Sequence, residues 1–315
     1  MNSVDYLIIS NTTDYSTDYV CYGLEQLGKR YLRINRDRFG TYKVIYALEP
    51  DLLIINMEGK DYKISPDTLK SIYFRAPVFL RAGKTYSLEE QLYRSQWSSF
   101  IRNLIVFDGA RWVNHPVATY RAENKLYQLK CAKHIGFDVP ETYVGNSLPS
   151  HISPVESYVV KSLDTALFYD GDEELFTYST VMTGRELLDA EIRSAPIILQ
   201  RCLRDKVDMR VTVIGNKIFP VSITIENGGI EGDWRKIAKD QLRYTPVELP
   251  SEVRQHLLSL MRFLKLEFGG VDLAFADGKY YFIEVNPTGE WGWLNSSLPI
   301  DNAIVERLTM EESDG

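Results

Sequence analysis

The apolar positions in the first third of the chain predict alternating strands and helices. Residues 4–10 form an apolar run typical of a buried strand, and residues 17–27 carry Val20 and Leu24 at helical spacing. Residues 31–35 predict a second strand. A strand–helix–strand order implies parallel pairing through a crossover, so the chain is expected to begin with an α/β unit.

More elements of the same kind follow. Segments 42–48 and 52–56 predict strands added in antiparallel fashion, and residues 71–75 predict a short strand. Residues 87–107 predict a long helix, because its first residue is a serine that can cap it and an apolar face repeats along it. Residues 1–113 are therefore expected to form one α/β domain.

This domain lacks the common phosphate-binding motifs. It has no Gly-x-Gly-x-x-Gly, so a dinucleotide site is not supported. The run Gly83-Lys84-Thr85 resembles the end of a phosphate loop, but Val78 stands where that loop requires glycine. The motif is rejected for this reason.

The middle of the chain predicts a helix and several strands. Residues 118–135 read as one helix that a glycine ends, and residues 142–144 predict a strand. Residues 157–163 predict a strand with Lys161 in its middle, which is either a charge that protects an edge strand or a functional cation facing a pocket. Residues 164–174 are acidic and predict a mobile loop.

The last third predicts an antiparallel sheet with helices. A strand at 195–203 becomes polar near its end, and residues 208–214 and 217–225 predict a hairpin about Gly-Asn. Residues 251–264 predict an amphipathic helix with a serine cap, and residues 302–308 predict a short helix. The strongest hairpin signal comes between them, where two apolar runs flank Asp277-Gly278.

Three oxygen-bearing side chains interrupt the apolar strands of this last hairpin. Glu284 and Asn286 are two apart and share a face, and pairing across the hairpin can bring Asp272 to the same side. Carboxylate and amide oxygens suit Mg²⁺, which completes its shell with phosphates and water. The alternative is a hairpin with polar edge residues.

Composition and charge narrow the function classes. The 315 residues carry a net charge of −7 and a pI near 5.3, which argues against a nucleic-acid-binding protein. Three widely spaced cysteines offer neither zinc spacing nor a disulfide framework, which fits a reducing compartment. No signal-peptide pattern and no apolar stretch near the ~20 residues of a membrane span are present, so a cytoplasmic protein without membrane contact is expected.

Four basic residues lie inside or beside predicted elements: Lys125, Lys161, Arg210 and Arg235. Together with the acceptors of the last hairpin they are the groups that bind a nucleoside triphosphate and assist phosphoryl transfer, where positioning and charge neutralisation dominate. Taken singly, each cation is more often a solvated surface group. For Arg235 the alternative is a loop ion pair with Asp233.

The order of these residues resembles the ATP-grasp fold, and further motifs resemble the graspetide synthetases, the microviridin-type macrocyclising peptide ligases. The resemblance covers essentially the whole chain. The motifs that carry it are Asn35-Arg36-Asp37-Arg38-Phe39, Tyr73-Phe74-Arg75-Ala76-Pro77, Asn114-His115-Pro116, Gln128-Leu129, Val139-Pro140-Glu141-Thr142, Asp233-Trp234-Arg235 and Glu284-Val285-Asn286-Pro287-Thr288-Gly289-Glu290-Trp291-Gly292-Trp293. Relatives often carry a second arginine where this chain has Ala76, which leaves the role of Arg75 open.

The resemblance implies an α/β protein of three parts. An N-terminal α/β domain, residues 1–113, precedes a central ATP-grasp lobe, residues 114–195, and a C-terminal lobe, residues 196–315. The two α+β lobes clamp ATP between them, and the C-terminal lobe carries the metal site.

The resemblance also implies the roles of individual residues. ATP would contact Lys125, Lys161, Gln200, Arg201, Cys202, Leu203 and Asp208. Mg²⁺ would be held by Asp272, Glu284 and Asn286. Arg210 and Arg235 would stabilise the charge that develops during the reaction.

The implied activity is ATP-dependent peptide macrocyclisation. An Asp or Glu side chain of a ribosomal precursor peptide, consisting of a leader and a core, becomes an acyl phosphate. A Ser or Thr hydroxyl or a Lys amine of the same peptide then displaces phosphate, giving an ester or an amide. The segment 155–183 is a candidate to help bind the leader, and relatives suggest a homodimer.

Two other functions stay open at this stage. One is an ATP-grasp ligase that joins a free amino acid or amine to a carboxylate. The other is a non-catalytic module that binds ATP or a peptide. The complete set of cations and metal ligands argues against the second.

Overall fold

The N-terminal part of the chain builds two sheets side by side. The computed structural model describes residues 2–75, 86–164, 167–170, 173–176, 178–190, 194–226 and 228–311. The elements of the first part are β1 Asn2–Ser3, β2 Tyr6–Ser10, α1 Tyr15–Gln26, β3 Tyr31–Asn35, β4 Lys43–Leu48, β5 Asp51–Met57, β6 Lys60–Ile64, β7 Ser71–Phe74, α2 Leu88–Asn103 and β8 Arg111–Val113. One sheet has the order β3-β2-β7-β8 and is parallel throughout. The other has the order β1-β6-β5-β4.

These elements largely follow the apolar pattern. The parallel pairing of β2 with β3 through α1 is confirmed, and β4 pairs with β5 in antiparallel fashion as expected. These two strands join β1 and β6 in a separate sheet rather than extending the parallel one. Helix α2 ends at Asn103 and a 3₁₀ turn follows, while Ser87 caps its start by accepting a hydrogen bond from the Glu90 amide. Ala76, Val78 and the rejected Gly-Lys-Thr run lie outside the described residues.

The middle of the chain contributes a small antiparallel sheet and the helices beside it. Its elements are α3 Pro116–Ala122, α4 Lys125–Ile135, β9 Thr142–Gly145, β10 Ser157–Lys161, β11 Leu167–Asp170, β12 Glu173–Phe176, β13 Thr180–Thr183, α5 Gly184–Asp189 and β14 Ile197–Arg201. Strands β13-β10-β14-β9 form the sheet in that order, and β11 pairs only with β12.

Two predictions for this region are wrong. The single helix 118–135 is broken into α3 and α4, because Asn124 leaves helical geometry and its side-chain amide donates to the Tyr120 carbonyl. The break makes Lys125 the first residue of α4. The acidic segment 164–174 is not only a loop, since its described residues include the antiparallel strands β11 and β12.

The C-terminal part is one antiparallel sheet backed by helices. Its elements are β15 Val207–Ile214, β16 Lys217–Thr224, β17 Arg243–Pro246, α6 Ser251–Leu264, β18 Phe268–Ala276, β19 Lys279–Asn286 and α7 Ile300–Thr309. The strand order is β17-β16-β15-β18-β19, so β19 lies at the edge. Helix α6 has the predicted bounds, although its N-cap residue is Pro250 and no side chain caps it.

The apolar faces of the helices explain how these parts pack. Val253, Leu257, Leu260 and Leu264 lie on one face of α6 and are buried against β15, β18 and β19. Helix α7 packs on α1 and joins the C-terminal sheet to the parallel sheet through one shared apolar cluster. Among the described residues, no helix is long and apolar enough to cross a membrane.

Candidate functional site

The last hairpin brings two carboxylates to one face of the C-terminal sheet. Its turn is the expected one, with Asp277 and Gly278 at φ of +50° and +73°. A β-bulge then shifts the register, so that Asp272 lies opposite Glu284 while Leu273 lies opposite Phe282. In a regular hairpin Asp272 would face Ile283, and Glu284 would point to the opposite side of the sheet.

The bulge follows from burial on the other face. Phe282 and Val285 are both buried in the core, although an odd spacing of three residues puts them on opposite faces of a regular strand. The extra residue, Ile283, shifts the alternation of faces by one position, so that Phe282 and Val285 both face the core. The same bulge turns Glu284 towards Asp272, so core packing sets the position of the acidic pair.

A row of charges crosses three strands at this level. Arg210 of β15 pairs directly with Asp272 of β18, which pairs with Glu284 of β19. Cross-strand partners point to the same face, and Arg210 Nη1 lies 2.7 Å from Asp272 Oδ1. Arg235 approaches from a 3₁₀ turn at Trp234–Lys236, with its Nη2 at 2.8 Å from Asp272 Oδ2 and 2.9 Å from Glu284 Oε1.

Arg210 lies in space that two glycines leave free. A Cβ on Gly270 would come within 3.1 Å of Arg210 Cζ, and one on Gly289 within 3.4 Å of its Nη2. The guanidinium is buried, and among the described residues its Nε has no hydrogen-bond partner. A buried N–H without a partner costs free energy, so this row of charges is not fully paired by the described part of the chain.

Two lysines face the acidic pair. Lys125 Nζ lies 3.9 Å from Glu284 Oε2 and donates to the Ser162 carbonyl at 3.2 Å. Lys161 lies in the same cleft. Burial lowers the pKa of Lys161, and the positive charges of Lys125 and Arg235 lower it further, while Glu284 acts in the opposite direction.

The carboxylates respond differently to this environment. Burial raises the pKa of Asp272 above its usual value, and the charge of Glu284 adds to the shift, against Arg210 and Arg235. Burial also opposes ionisation of Glu284, but Arg235, Lys125 and Lys161 outweigh it and lower the pKa of Glu284 to about 2. Glu284 is therefore an anion at neutral pH.

These groups line one cleft of about 430 Å³ between the middle sheet and the C-terminal sheet. Eleven of the twelve residues singled out from the sequence line it: Lys125, Lys161, Gln200, Arg201, Cys202, Leu203, Asp208, Arg235, Asp272, Glu284 and Asn286. The twelfth, Arg210, lies beneath them and reaches the cleft through Asp272. The structure thus brings the predicted set together.

The strand end at Gln200 forms one wall of the cleft. The Gln200 amide donates to Thr142 Oγ1 at 2.9 Å, which holds this side chain within the sheet. Arg201 points to the rim, where its Nη2 lies 3.2 Å from Glu156 Oε1. Backbone groups of this segment are therefore the ones left to face a ligand.

Several cleft residues escaped the sequence prediction. Lys206 forms an ion pair with Asp208, and burial raises the pKa of Asp208 despite that partner. The signal was present, because the two residues are two apart at the start of a strand. Tyr178 and Ser179 also line the cleft, and they had no signal because they come from a polar connecting segment.

The alternative reading of Arg235 is correct in part. Arg235 Nη1 lies 3.5 Å from Asp233 Oδ1, and Asp233 accepts a hydrogen bond from Ser179 Oγ at 2.8 Å. The same guanidinium nevertheless contacts both carboxylates of the hairpin. Asp233 therefore orients Arg235 towards the cleft instead of holding it at the surface.

Arg75 lies away from the cleft. Its Nη1 donates to the carbonyls of Thr288 and Gly289 at 2.8 Å each, and its Nε donates to Asp14 at 3.2 Å. Arg75 of the N-terminal part thus fixes the backbone of residues 288–289, which follow the metal-ligand candidates, on the side away from the cleft.

The hairpin offers a ligand set that fits Mg²⁺ bound with phosphates. Within the described ranges, no three His, Cys, Asp or Glu side chains group as a metal cluster. Two carboxylates and the amide of Asn286 are oxygen ligands, and a metal held by so few protein groups needs phosphate and water oxygens as well. The lysines that face the acidic pair suit those phosphates.

Comparisons with known proteins identify the fold that carries this cleft. Residues 171–307 match the family model described as a RimK-like ATP-grasp domain. The comparison with curated proteins finds no match. Many solved structures match, and three of them show how far the likeness extends.

The first is the macrocyclase MdnC from Microcystis aeruginosa, bound with its precursor peptide MdnA. It has a TM-score of 0.82 and 23% identity, over 96% of this chain and 98% of that chain. A RiPP-associated ATP-grasp ligase from Chryseobacterium gregarium, in complex with ADP and a leader and core peptide, gives the same TM-score and identity over 98% and 96%. The ATP-grasp ligase PsnB, with a precursor variant, Mg and ADP, has a TM-score of 0.75 and 16% identity over 98% and 99%.

The chain therefore has the ATP-grasp fold, and the fold predicted from the sequence is confirmed. The solved structures that it resembles include ligases of the kind that the sequence motifs indicated.

Proposed function

We propose that this protein is an ATP-dependent ligase that closes rings in a ribosomal precursor peptide. An Asp or Glu side chain of the peptide is activated as an acyl phosphate, and a Ser or Thr hydroxyl or a Lys amine of the same peptide displaces phosphate. The observation that carries the proposal is the cleft in which Arg210, Asp272 and Glu284 form one row opposite two lysines. The likeness over nearly the whole chain to ligases solved with precursor peptides supports the choice of substrate.

The lysines and the strand end would hold ATP. Lys125 and Lys161 face the acidic pair and would bind the phosphates, while backbone groups of Gln200 through Leu203 would meet adenine. Asp208 at the neighbouring wall would serve the ribose or a metal-bound water. These roles are consistent with the positions of the residues around one cleft.

Asp272, Glu284 and Asn286 would hold Mg²⁺, which neutralises phosphate charge when bound. Arg235 now contacts the two carboxylates, and its side chain is 41% exposed, against 8% for Arg210. With the carboxylates holding metal, Arg235 would be free to turn towards the phosphoryl and tetrahedral oxygens. Arg210 lies beneath the cleft and would act on the same charge through Asp272, which it contacts at 2.7 Å.

Three further points belong to the proposal. The partner is a precursor peptide with a leader and a core, and the protein acts as a homodimer. The first domain boundary is proposed at residue 113, as expected from the sequence, and the second after Arg201 rather than at residue 195, because β14 pairs with β10 and β9 of the middle sheet. Closure of the lobes would bring the weak hydroxyl nucleophile close to the activated carbonyl, where proximity replaces a dedicated base.

Mass spectrometry of the purified protein with ATP, Mg²⁺ and a candidate precursor tests the proposal. The candidate is a short peptide, encoded beside the gene, with acidic residues and Ser, Thr or Lys in its core. Loss of one water per linkage, dependent on ATP, is the expected result. Addition of an amino-acid mass would instead show a ligase for free amino acids, and no ATP turnover with any acceptor would leave a binding module. Mild base opens esters and leaves amides, which separates the two products.

A further inference from the structure

We propose that Gln128 is a positioning residue that holds the metal-ligand strand β19 in register with Lys125. This inference rests on the proposed function, because it assigns Gln128 to the site where ATP and Mg²⁺ would bind. Gln128 is 2% exposed and touches no cleft surface, so it acts through the residues that it holds.

The side-chain amide of Gln128 takes the place of a missing strand. Its Oε1 accepts the Val285 amide at 2.9 Å, and its Nε2 donates to the Val285 carbonyl at 2.8 Å. Strand β19 lies at the edge of its sheet, where an isolated bridge from Asp138 pairs with Tyr281 and no described strand reaches Val285. One side chain thus satisfies both backbone groups of a single residue, as a neighbouring strand would.

The position of the Val285 backbone is important because the two neighbouring residues face the cleft. Val285 lies between Glu284 and Asn286, and its own side chain is buried on the core face. Successive side chains of a strand point to opposite faces, so fixing the backbone of Val285 fixes the direction of both cleft residues beside it. The hydrogen bonds from Gln128 come immediately after the bulge that turns Glu284 towards Asp272, where the strand geometry is least regular.

Helix α4 connects this hold to the cation. Lys125 is its first residue, and Gln128 comes three residues later on the same helix face. Lys125 contacts the side chain of Glu284 while Gln128 contacts the backbone of Val285. The first turn of α4 therefore sets the distance between a phosphate-binding lysine and a metal ligand.

Both donors of the amide are used. The second N–H of Nε2 donates to the carbonyl of Ala122, at the end of α3, while Oε1 accepts from Val285. Gln128→Glu would place an acceptor against two carbonyls. Gln128→Met keeps the length of the side chain but leaves the Val285 amide and carbonyl unpaired.

Two measurements on the full-length protein test this role. Deuterium exchange over residues 280–287 reports the hold on β19 directly and needs no ligand. Calorimetric titration with ADP, with and without Mg²⁺, reports the metal site apart from turnover. The control is Trp112→Phe, which removes a buried hydrogen bond from Trp112 Nε1 to the Phe107 carbonyl at 3.0 Å, at a residue that does not line the cleft.

Faster exchange over 280–287 is expected for Gln128→Met and Gln128→Glu, and not for the control. In the two Gln128 variants the Mg²⁺-dependent part of ADP affinity should fall by about tenfold to a hundredfold, as when a group that supports a metal ligand is lost. Metal-free ADP binding should stay nearly unchanged. Wild-type exchange and wild-type Mg²⁺ dependence in Gln128→Met would overturn the inference, as would an equal loss in Trp112→Phe.

The outcomes also separate this inference from the proposed function. A wild-type protein that binds ADP with Mg²⁺ but ligates no peptide would refute the ring-closing activity and leave the role of Gln128 intact. If Gln128→Met is too unstable to purify, Gln128→Glu and its exchange profile decide the matter alone.

Discussion

Two clusters of arginine and carboxylate lie on opposite sides of the segment that follows β19. The cleft cluster consists of Arg210, Arg235, Asp272 and Glu284. The interface cluster consists of Asp14, Arg75 and Glu290, where the N-terminal part meets the C-terminal part. Both use the same residue types, yet the environments of their groups differ.

In the interface cluster every nitrogen of the Arg75 guanidinium has an acceptor. Nη1 donates to two backbone carbonyls, Nε to Asp14, and Nη2 to Glu290 at 3.3 Å. Asp14 in turn accepts from hydroxyls of Ser10 and Thr17 while it caps α1. Burial favours the neutral acid, but Arg75 and these hydroxyls outweigh it and lower the pKa of Asp14. Such a network is closed and needs no ligand.

The cleft cluster is not closed. Among the described residues the buried Nε of Arg210 has no partner, and Arg235, whose side chain is 41% exposed, forms ion pairs with Asp272 and Glu284 beside a cation–π contact with Trp234. The difference indicates that complete pairing marks a structural role and incomplete pairing marks a place for ligands. The number of arginine–carboxylate contacts does not separate the two.

The largest expected effect comes from Glu284→Gln. The pKa of about 2 makes Glu284 an anion at working pH, and the amide removes that charge from the metal site without changing its shape. Ring formation should fall by at least about 10³-fold, because charge neutralisation carries phosphoryl transfer. Product formation is followed by mass spectrometry and folding by thermal melting.

Glu267→Gln is the matched control for that variant. Glu267 pairs with Arg307 at 2.7 Å just before β18, away from the cleft. Its change to glutamine should leave ring formation intact. Undiminished ring formation in Glu284→Gln would remove Glu284 from the site and the cleft cluster from the reaction.

Arg75→Met tests the opposite side of the comparison. The change leaves Asp14 buried without its cation, so the free energy of unfolding should drop by about 3–5 kcal/mol. Chemical denaturation measures the loss. Protein that remains folded at low temperature should still bind ADP with Mg²⁺. A variant of wild-type stability that ligates no peptide would assign Arg75 to the reaction instead.

Arg235→Gln should show the reverse pattern. Its partly exposed ion pairs contribute about 1 kcal/mol or less to stability. Loss of an arginine that meets transition-state charge should lower turnover by about 10²-fold or more. The denaturation midpoint and the turnover rate are measured on the same preparation of Arg235→Gln and compared with those of the wild type. A large loss of stability with normal turnover would place Arg235 with the structural arginines.

Strand and turn patterns predicted the hairpin part of the cleft cluster, because Asp272 and Glu284 lie on the two strands that the Asp277-Gly278 turn joins. The pairing of β15 with β18, which brings Arg210 to Asp272, was not predicted, and Arg235 reaches them from a 3₁₀ turn. The meeting of Asp272 with Glu284 needed one more step, the bulge at Ile283. The odd spacing of Phe282 and Val285 is the only trace of that bulge in the sequence.

The sequence pattern did not predict contacts that join distant segments. The C-terminal partners of Arg75 lie more than 200 positions along the chain, and Val285, the strand partner of Gln128, lies more than 150 positions from it, with no periodicity to connect them. The break between α3 and α4 was also missed, since the apolar face continues across it and one asparagine interrupts the helix. Strands β11 and β12 were also missed, because neither segment shows the alternation of apolar and polar residues that predicts a strand.

The smallest expected effect concerns pH and sharpens the electrostatic side of the comparison. Burial lowers the pKa of Lys161, so its ammonium loses the proton at a lower pH than the ordinary value of ~10.4. Phosphate binding requires the charged form, and ADP affinity should therefore fall by about a few-fold as the pH rises through that lowered pKa. Lys161→Arg keeps its charge over this range and should give a flat profile by calorimetry. A wild-type profile as flat as that of the arginine variant would show that the charge of Lys161 does not contribute to phosphate binding. Of the two lysines predicted from the sequence to bind phosphate, Lys125 alone would then remain.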